Sequence, residues 1–422
     1  MEKTLEHTFD TGSSRVVRNC QICGSADLES ILFLGYLPPV NKMSPIGEKP
    51  HEQPSYPAQL LYCPVCGLVQ LGLVVDAKIL FPPEYPYTSS TTKILRENFA
   101  ELYRECSELL EIGPDDLIVD IGSNDGNLLS NFKDNHRVLG VTPEEIGKIA
   151  IERGIPTIID YFGEKAVSDI LSGHGKARIV TATNVFAHME DIGKVLEGIM
   201  EILREDGVFV SESHYLLPLR ETLQYDTVYH EHLRYYSLHS LKYLLESHGL
   251  EVFHAKQIPT HGGSIRVYAA RKGTRQVKPS VQAQLEAEKG KILDREDFRE
   301  FSEKVMLSKL ELYRLLSGIK KDKGRVYGIS APSRASTLIN YAGLQSDIIH
   351  CVLEIRGSHK IGKYMPGTLI PVLEESKLYR DQPEYALLFS WHIADELIPK
   401  IKQKGYKGKF IVPLPEPVIV NP

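Results

Sequence analysis

Only one tryptophan and six cysteines occur among 422 residues. Cysteine this sparse excludes a disulfide-built scaffold, whose chains are short and cysteine-dense. No stretch of about 18 consecutive apolar residues is present, so no membrane-spanning helix is expected. The N-terminal MEKTLEHTFDTGSSRVVRNC lacks the apolar core of a secretion signal, which makes the cytosol the default compartment and a membrane partner unexpected. Charge of one sign is not concentrated either: 49 Lys and Arg stand against 55 Asp and Glu, for a net charge of −6. A polyanion binder needs a basic face, so nucleic acid is not an expected partner. Low-complexity segments and short-period repeats are missing as well.

What is there is a globular composition, 42% hydrophobic and 25% charged, in a chain long enough for about three domains. The first 85 residues are rich in Pro, Gly and Cys, with short apolar runs (31–35 and 68–75) that suit small strands in a stapled module. Residues 91–112 repeat apolar side chains every three or four positions, and Gly113-Pro114 ends that helix. Through residue 279, apolar runs at 117–122, 138–142, 157–160, 177–185 and 207–213 alternate with amphipathic stretches. That rhythm predicts an α/β domain with a parallel, Rossmann-like sheet. From Ser280 to about Lys320 an amphipathic connector carries Phe298, Phe301, Val305, Leu312, Leu316 and Ile319 on one face, read as core and not as a partner surface. The strand and helix rhythm then restarts at 324–340, 347–354 and 384–391, which predicts a second, C-terminal Rossmann-like unit over 280–422.

Cys20, Cys23, Cys63 and Cys66 form two C-x-x-C pairs on the turns CQICG and CPVCG. Two residues between thiolates let one turn present both sulfurs to a single ion, and two such turns complete a tetrahedron around zinc. The spacing favours zinc over disulfides or unrelated reduced thiols. Four cysteines leave no open coordination position, so the zinc is expected to be structural. Cys106 and Cys351 lie in apolar surroundings and read as buried small hydrophobes.

The run from Leu117 to Asn127 (LIVDIGSNDGN) places a strand before a glycine turn. Gly122 and Gly126 would let backbone approach a ligand at the carboxyl edge of the sheet. The G-x-x-x-G spacing after Asp120 weighs against NAD and suits the first motif of S-adenosylmethionine-dependent methyltransferases. Thr142 stands where an acid for the ribose hydroxyls is expected, leaving Glu144 or Glu145 to take over. The densest ionisable cluster is YDTVYHEHLRYYS (225–237), which gathers a potential base, a carboxylate and a phenol. Helical spacing would not put all of them on one face, so a loop or strand edge is expected.

The segments NVFAHMED (184–191), YDTVYHEHLRYYSL (225–238), HGGSIRVY (261–268) and HKIGKYMPGTLIPV (359–372), together with the four cysteines, resemble the nucleotide-hexose C-methyltransferases of deoxysugar biosynthesis. The resemblance runs from about Cys20 to Trp391. It implies a zinc-binding module, a central S-adenosylmethionine domain and a C-terminal domain that helps hold the nucleotide-sugar. The implied substrate is a nucleotide-linked 4-keto-6-deoxyhexose methylated at C-3, where the ketone acidifies the proton to be removed. By motif match His232 is the base and Tyr229 the donor to the enolate oxygen, with Glu231 orienting or tuning the histidine. His188 and one of Tyr85 and Tyr87 join the site. The implied cofactor set is Asp120, Gly122, Asn124, Asp125, Gly126, Asn184 and Phe186. His261, Gly262, Ser264 and Arg266 would approach the diphosphate, with Ser333 and Arg334 replacing the Lys-Gly pair usual in relatives and Glu354 their Asp. Methyl transfer to another carbon or an oxygen, and a binding protein without catalysis, are the alternatives. Nucleotide, sugar stereochemistry and oligomeric state are not written in the sequence.

Overall fold

The computed structural model describes residues 14–49, 52–81 and 93–421. The strands are, in chain order, β1 (Arg15–Val16), β2 (Glu29–Leu37), β3 (Tyr56–Tyr62), β4 (Val69–Leu71) and β5 (Leu73–Val74); β6 (Leu117–Ile121), β7 (Arg137–Thr142), β8 (Thr157–Ile159), β9 (Ala177–Thr183) and β10 (Leu203–His214); then β11 (Arg234–Tyr235), β12 (Leu250–Ile258) and β13 (Ser264–Arg271); and finally β14 (Val326–Ile329), β15 (Ile349–Glu354), β16 (Val372–Glu374), β17 (Tyr385–Leu388), β18 (Lys409–Val412) and β19 (Val418–Val420).

The central sheet has the order β12-β13-β10-β9-β6-β7-β8. Strands β6 to β10 pair in parallel, and the β12–β13 hairpin adds antiparallel strands at one edge. Every residue of β6 and β9 is buried, which explains why they read as unbroken apolar runs and not as alternating ones. Successive strands run outward from β6 in one direction and from β9 in the other, so a switch point opens between their carboxyl ends. The C-terminal sheet repeats this plan in the order β16-β15-β14-β17-β18-β19, with its switch point between β14 and β17. The connector is two helices, Pro279–Glu288 and Arg295–Lys321, and the second buries all six apolar positions expected to face the core. No helix among the described residues is long and apolar enough to cross a membrane.

The small N-terminal sheet has the order β11-β4-β3-β2, and its outermost strand is borrowed from the middle of the chain. Arg234 pairs with Gln70 and Tyr235 with Val69, so the segment after His232 is a strand of the cysteine module. Leu71 N donates to Leu233 O at 3.0 Å, while Leu233 N donates to Ala187 O at 3.0 Å.

Arg266, expected at a diphosphate, lies instead inside the protein with a fully buried side chain. It stands opposite Glu212 in the β10–β13 register. Its Nε donates to Glu212 at 2.6 Å, one terminal nitrogen to Glu105 at 2.6 Å, and the other to Asn98 Oδ1 at 2.9 Å. A guanidinium so engaged neutralises two inward carboxylates, and removing one partner of such a group leaves buried charge uncompensated. Arg266→Met is therefore expected to lower unfolding free energy by roughly 3–5 kcal/mol in urea denaturation. Unchanged stability with weakened ligand binding would instead return Arg266 to the role the sequence suggested.

Candidate active site

One cavity of 2430 Å³ collects the ends of all these parts. Asp120, Gly122 and Asn124 border it after β6, Asn184 and His188 after β9, and Tyr229, Glu231 and His232 from the loop before β11. His214, His261, Ser333, Arg334, Lys360 and His392 complete the wall. Both switch points thus open into one space. Tyr85 and Tyr87 lie outside the described residues, although Phe81 and Lys93 border the cavity on either side of them.

At the β6 turn, Gly122 has φ +77°, and a side chain there would put its Cβ 2.3 Å from Val185 Cγ1. Only glycine fits a backbone so close to the loop after β9. Asp120 accepts from Thr181 Oγ1 at 2.6 Å, and burial raises its pKa to about 7. Thr142 Oγ1 donates to Glu144 Oε2 at 3.0 Å, whereas Glu145 pairs with Lys148. Three residues of the expected cofactor set have other work. Asp125 is buried against Arg153, at 3.0 Å, Gly126 makes room for Ala150 and Ile155, and Phe186 packs in the core on Phe209 and Tyr236.

The loop between Tyr225 and Arg234 is irregular after one short helical turn, as its residue pattern requires. His232 Nδ1 faces Thr227 O at 2.9 Å and His188 Nδ1 faces Glu231 O at 2.6 Å. A carbonyl only accepts, so each Nδ1 carries the proton and each Nε2 keeps its lone pair. The expected part for the Glu231 side chain changes accordingly: its carboxylate accepts from Asn41 Nδ2 at 2.7 Å, and its backbone orients His188, not His232. The ring of Tyr229 lies 4.2 Å from that of His232, His188 5.0 Å from it, and His214 6.0 Å from it in a stacked arrangement. Burial holds His188 and His232 below the usual histidine range, takes His214 to about 3 and His261 to about 4, and pushes Tyr229 well above 10. The cluster is neutral at pH 7, with acceptor imidazoles and a protonated phenol. Ser213 Oγ, His214 Nδ1 and His261 Nε2 are shielded without a hydrogen-bond partner among the described residues, an arrangement suited to a polar ligand.

Gly262 and Ser264 serve the framework. Gln224 Nε2 donates to Gly262 O at 2.7 Å, and Ser264 Oγ to Thr260 O at 3.0 Å. Sequence reasoning passed over His214, Asp226, Lys360 and His392. His214 and His392 carry the one usable signal, a polar residue just at or beyond the carboxyl end of an apolar strand.

In the cysteine module the four sulfurs lie within 4.8 Å of one another, with Cys20 to Cys66 at 3.4 Å and Cys23 to Cys63 at 3.5 Å. Zinc bonds of about 2.3 Å in a tetrahedron separate sulfurs by roughly 3.8 Å, so the cluster fits with small adjustment. Gly24 and Gly67, both at positive φ, close the two turns. The hydrogen bond with Cys66 lowers Cys20 to about 5, the same bond and then burial raise Cys66, and burial raises Cys63 to about 11. Of these three thiols only Cys20 is drawn toward the thiolate, and a bound dication is what would ionise Cys63 and Cys66 as well.

Comparison with known proteins agrees with this arrangement. Residues 20–81 match a zinc-binding domain family, 94–255 a methyltransferase domain, and 259–415 the C-methyltransferase C-terminal domain. The chain is 32% identical over 412 residues to the C-methyltransferase NovU of Streptomyces niveus, covering 96% of this chain and 98% of that one. The chain belongs to the S-adenosylmethionine-dependent C-methyltransferase family. Its four-cysteine cluster is the structural zinc site of the family's N-terminal module. Two solved methyltransferase structures align with part of this C-methyltransferase. Magnesium protoporphyrin IX methyltransferase of Synechocystis PCC 6803 with bound SAM is 12% identical, with TM-score 0.32 over 42% of this chain and 79% of that one. An S-adenosylmethionine-dependent methyltransferase of Anabaena variabilis is 15% identical, with TM-score 0.35 over 44% and 88%.

The neutral histidines make the stability of the C-methyltransferase sensitive to acid. Unfolded, each ring takes a proton near pH 6.5; folded, only below that. For His214 and His261, held at about 3 and about 4, stability from the ring is therefore present above pH 6.5 and lost as pH falls toward the folded value, on the order of 2 kcal/mol per ring by pH 5. Asp120, raised to about 7, acts in the opposite sense, so the test is a difference. The melting temperature of His261→Asn is expected to fall less than that of the unsubstituted enzyme between pH 7.5 and 5. Parallel curves would show that folding does not hold His261 below its unfolded value.

Proposed function

We propose that this C-methyltransferase methylates C-3 of a nucleotide-linked 4-keto-6-deoxyhexose. The observation that supports this reading is that two switch-point crevices open into one cavity whose wall carries His232 and Tyr229. In this reading residues 1–85 form the zinc module, 86–279 the methyl-transfer domain and 280–422 the domain that holds the nucleotide-sugar.

A carbon atom becomes nucleophilic only after losing a proton, and a neighbouring ketone makes that feasible by drawing the charge onto oxygen. His232 Nε2, with its lone pair directed away from the Thr227 contact, removes the C-3 proton. Tyr229, kept protonated by burial, donates a hydrogen bond to the developing O-4 enolate. His188, held in the same tautomer, offers a second acceptor beside the sugar. Asp120, Gly122, Asn124 and Asn184 hold the cofactor, and Glu144, steadied by Thr142, takes its ribose hydroxyls. When bound, S-adenosylmethionine supplies an electrophilic methyl group on its sulfonium. The diphosphate suits the β14–β17 crevice, where the helix Ser333–Ala342 begins and Lys360 Nζ lies 2.7 Å from Ala331 O.

The ketone acidifies C-5 by the same resonance as C-3, so the test must report position as well as mass. Purified protein incubated with ¹³C-methyl S-adenosylmethionine and a panel of nucleotide-linked 4-keto-6-deoxyhexoses, with 4-hydroxy sugars as controls, is expected to add one methyl to keto sugars alone, at C-3 by carbon NMR. His232→Gln is expected to lower kcat by about 10²–10⁴. Label at C-5 would move the reaction one carbon along the ring, label on oxygen would remove the need for the enolate, and no label with cofactor bound would favour a binding protein.

A further inference from the structure

Asp226 sits at the start of the catalytic loop with a side chain only 1% exposed, and its hydrogen bonds go to Arg334 and Trp391, not to His188, Tyr229 or His232. Its partners come from the other end of the chain. Arg334 Nε donates to Asp226 Oδ2 at 2.8 Å, an Arg334 terminal nitrogen donates to Oδ1 at 2.8 Å, and Trp391 Nε1 donates to Oδ2 at 2.8 Å. Arg334 follows β14 and Trp391 follows β17, so both flank the C-terminal switch point. The remaining Arg334 nitrogen faces His392 Nδ1 at 2.8 Å, and burial followed by the arginine charge lowers that histidine to about 2, leaving it a neutral acceptor. Arg334 is thus committed to neighbours within the protein, in contrast to the substrate-binding part its sequence position suggested.

The next residue after Asp226 is Thr227, and Thr227 O is the atom that holds His232 Nδ1–H. One residue further, Val228 O accepts from Thr337 Oγ1 on the helix Ser333–Ala342, at 3.2 Å. The carbonyl that fixes the tautomer of the base therefore lies between two anchors to the C-terminal domain. We infer that Asp226 is a positioning residue, through which Arg334 and Trp391 at the C-terminal crevice hold Thr227 O against His232. A carboxylate with two donors from a guanidinium and a third from an indole is a rigid anchor. Displacing a catalytic group by about 1 Å can cost on the order of 10²-fold in rate, so such an anchor has leverage on turnover. It also gives the crevice expected to hold the nucleotide a direct mechanical connection to proton abstraction.

This inference rests on the proposed function for its kinetic half, and the test separates the two. Asp226→Asn keeps the shape but loses the charge, and Trp391→Phe removes one donor while keeping an aromatic ring over Arg334. In the intact zinc-loaded enzyme, both variants are expected to lower kcat, Asp226→Asn by about 10-fold or more, with the KM values for cofactor and sugar changed less than about 2-fold. Amide hydrogen exchange, read by mass spectrometry, is expected to rise over 225–235 and not over β6 to β9. Unchanged kcat in folded variants, a raised sugar KM with kcat kept, or exchange raised evenly along the chain would each overturn the inference. If the unsubstituted enzyme methylates no keto sugar, the functional reading fails, and localised or unlocalised exchange still decides whether Asp226 anchors the loop.

Discussion

The backbone of Leu233 is the point at which the molecule is tied together. Its carbonyl accepts from Leu71 in the cysteine module, and its amide donates to Ala187 in the loop after β9. His232 precedes it and His188 follows Ala187, so one pair of hydrogen bonds sets the distance between the two histidines and fixes both to the zinc turn that leads into β4. A metal site with no open position can still matter for catalysis in this way. By holding the CPVC turn it holds β4, and β4 holds the strand on which the 225–234 loop ends.

Charge is distributed with a consistent logic. Arg266 is buried against Glu212 and Glu105 and Arg334 against Asp226, while the equally buried Arg234 is met by the carbonyls of Met189 and Glu190. The rings that reach the cavity are left neutral by burial. A neutral imidazole beside a protonated phenol is suited to taking a proton from carbon and stabilising the oxygen that receives the charge. A charged imidazole could not take that proton.

Much of this was legible in the sequence because the signals are local. Fully buried parallel strands read as continuous apolar runs, and their observed ends at 117–121, 137–142 and 177–183 lie within two residues of those runs. The C-x-x-C turns and the irregular 225–234 segment were equally plain. What could not be read were pairings across the chain. Arg266 looked like a ligand because nothing near it announces Glu105, 161 residues away. Glu231 looked like a partner for its neighbour His232, whereas its carboxylate meets Asn41, 190 residues away. Phe186 and Asp125 fell within motif-like segments but point into the framework. Motifs mark where chemistry is done, and side-chain direction decides which of their residues do it.

The central claim is that a histidine removes a proton from carbon next to a ketone before any methyl group moves. Solvent deuterium incorporation isolates that step when the enzyme is supplied with S-adenosylhomocysteine, which has no methyl to transfer, and a nucleotide-linked 4-keto-6-deoxyhexose in D₂O. The account predicts deuterium at C-3 in the unsubstituted enzyme and none above background in His232→Gln. Exchange that survives the loss of His232 would contradict it.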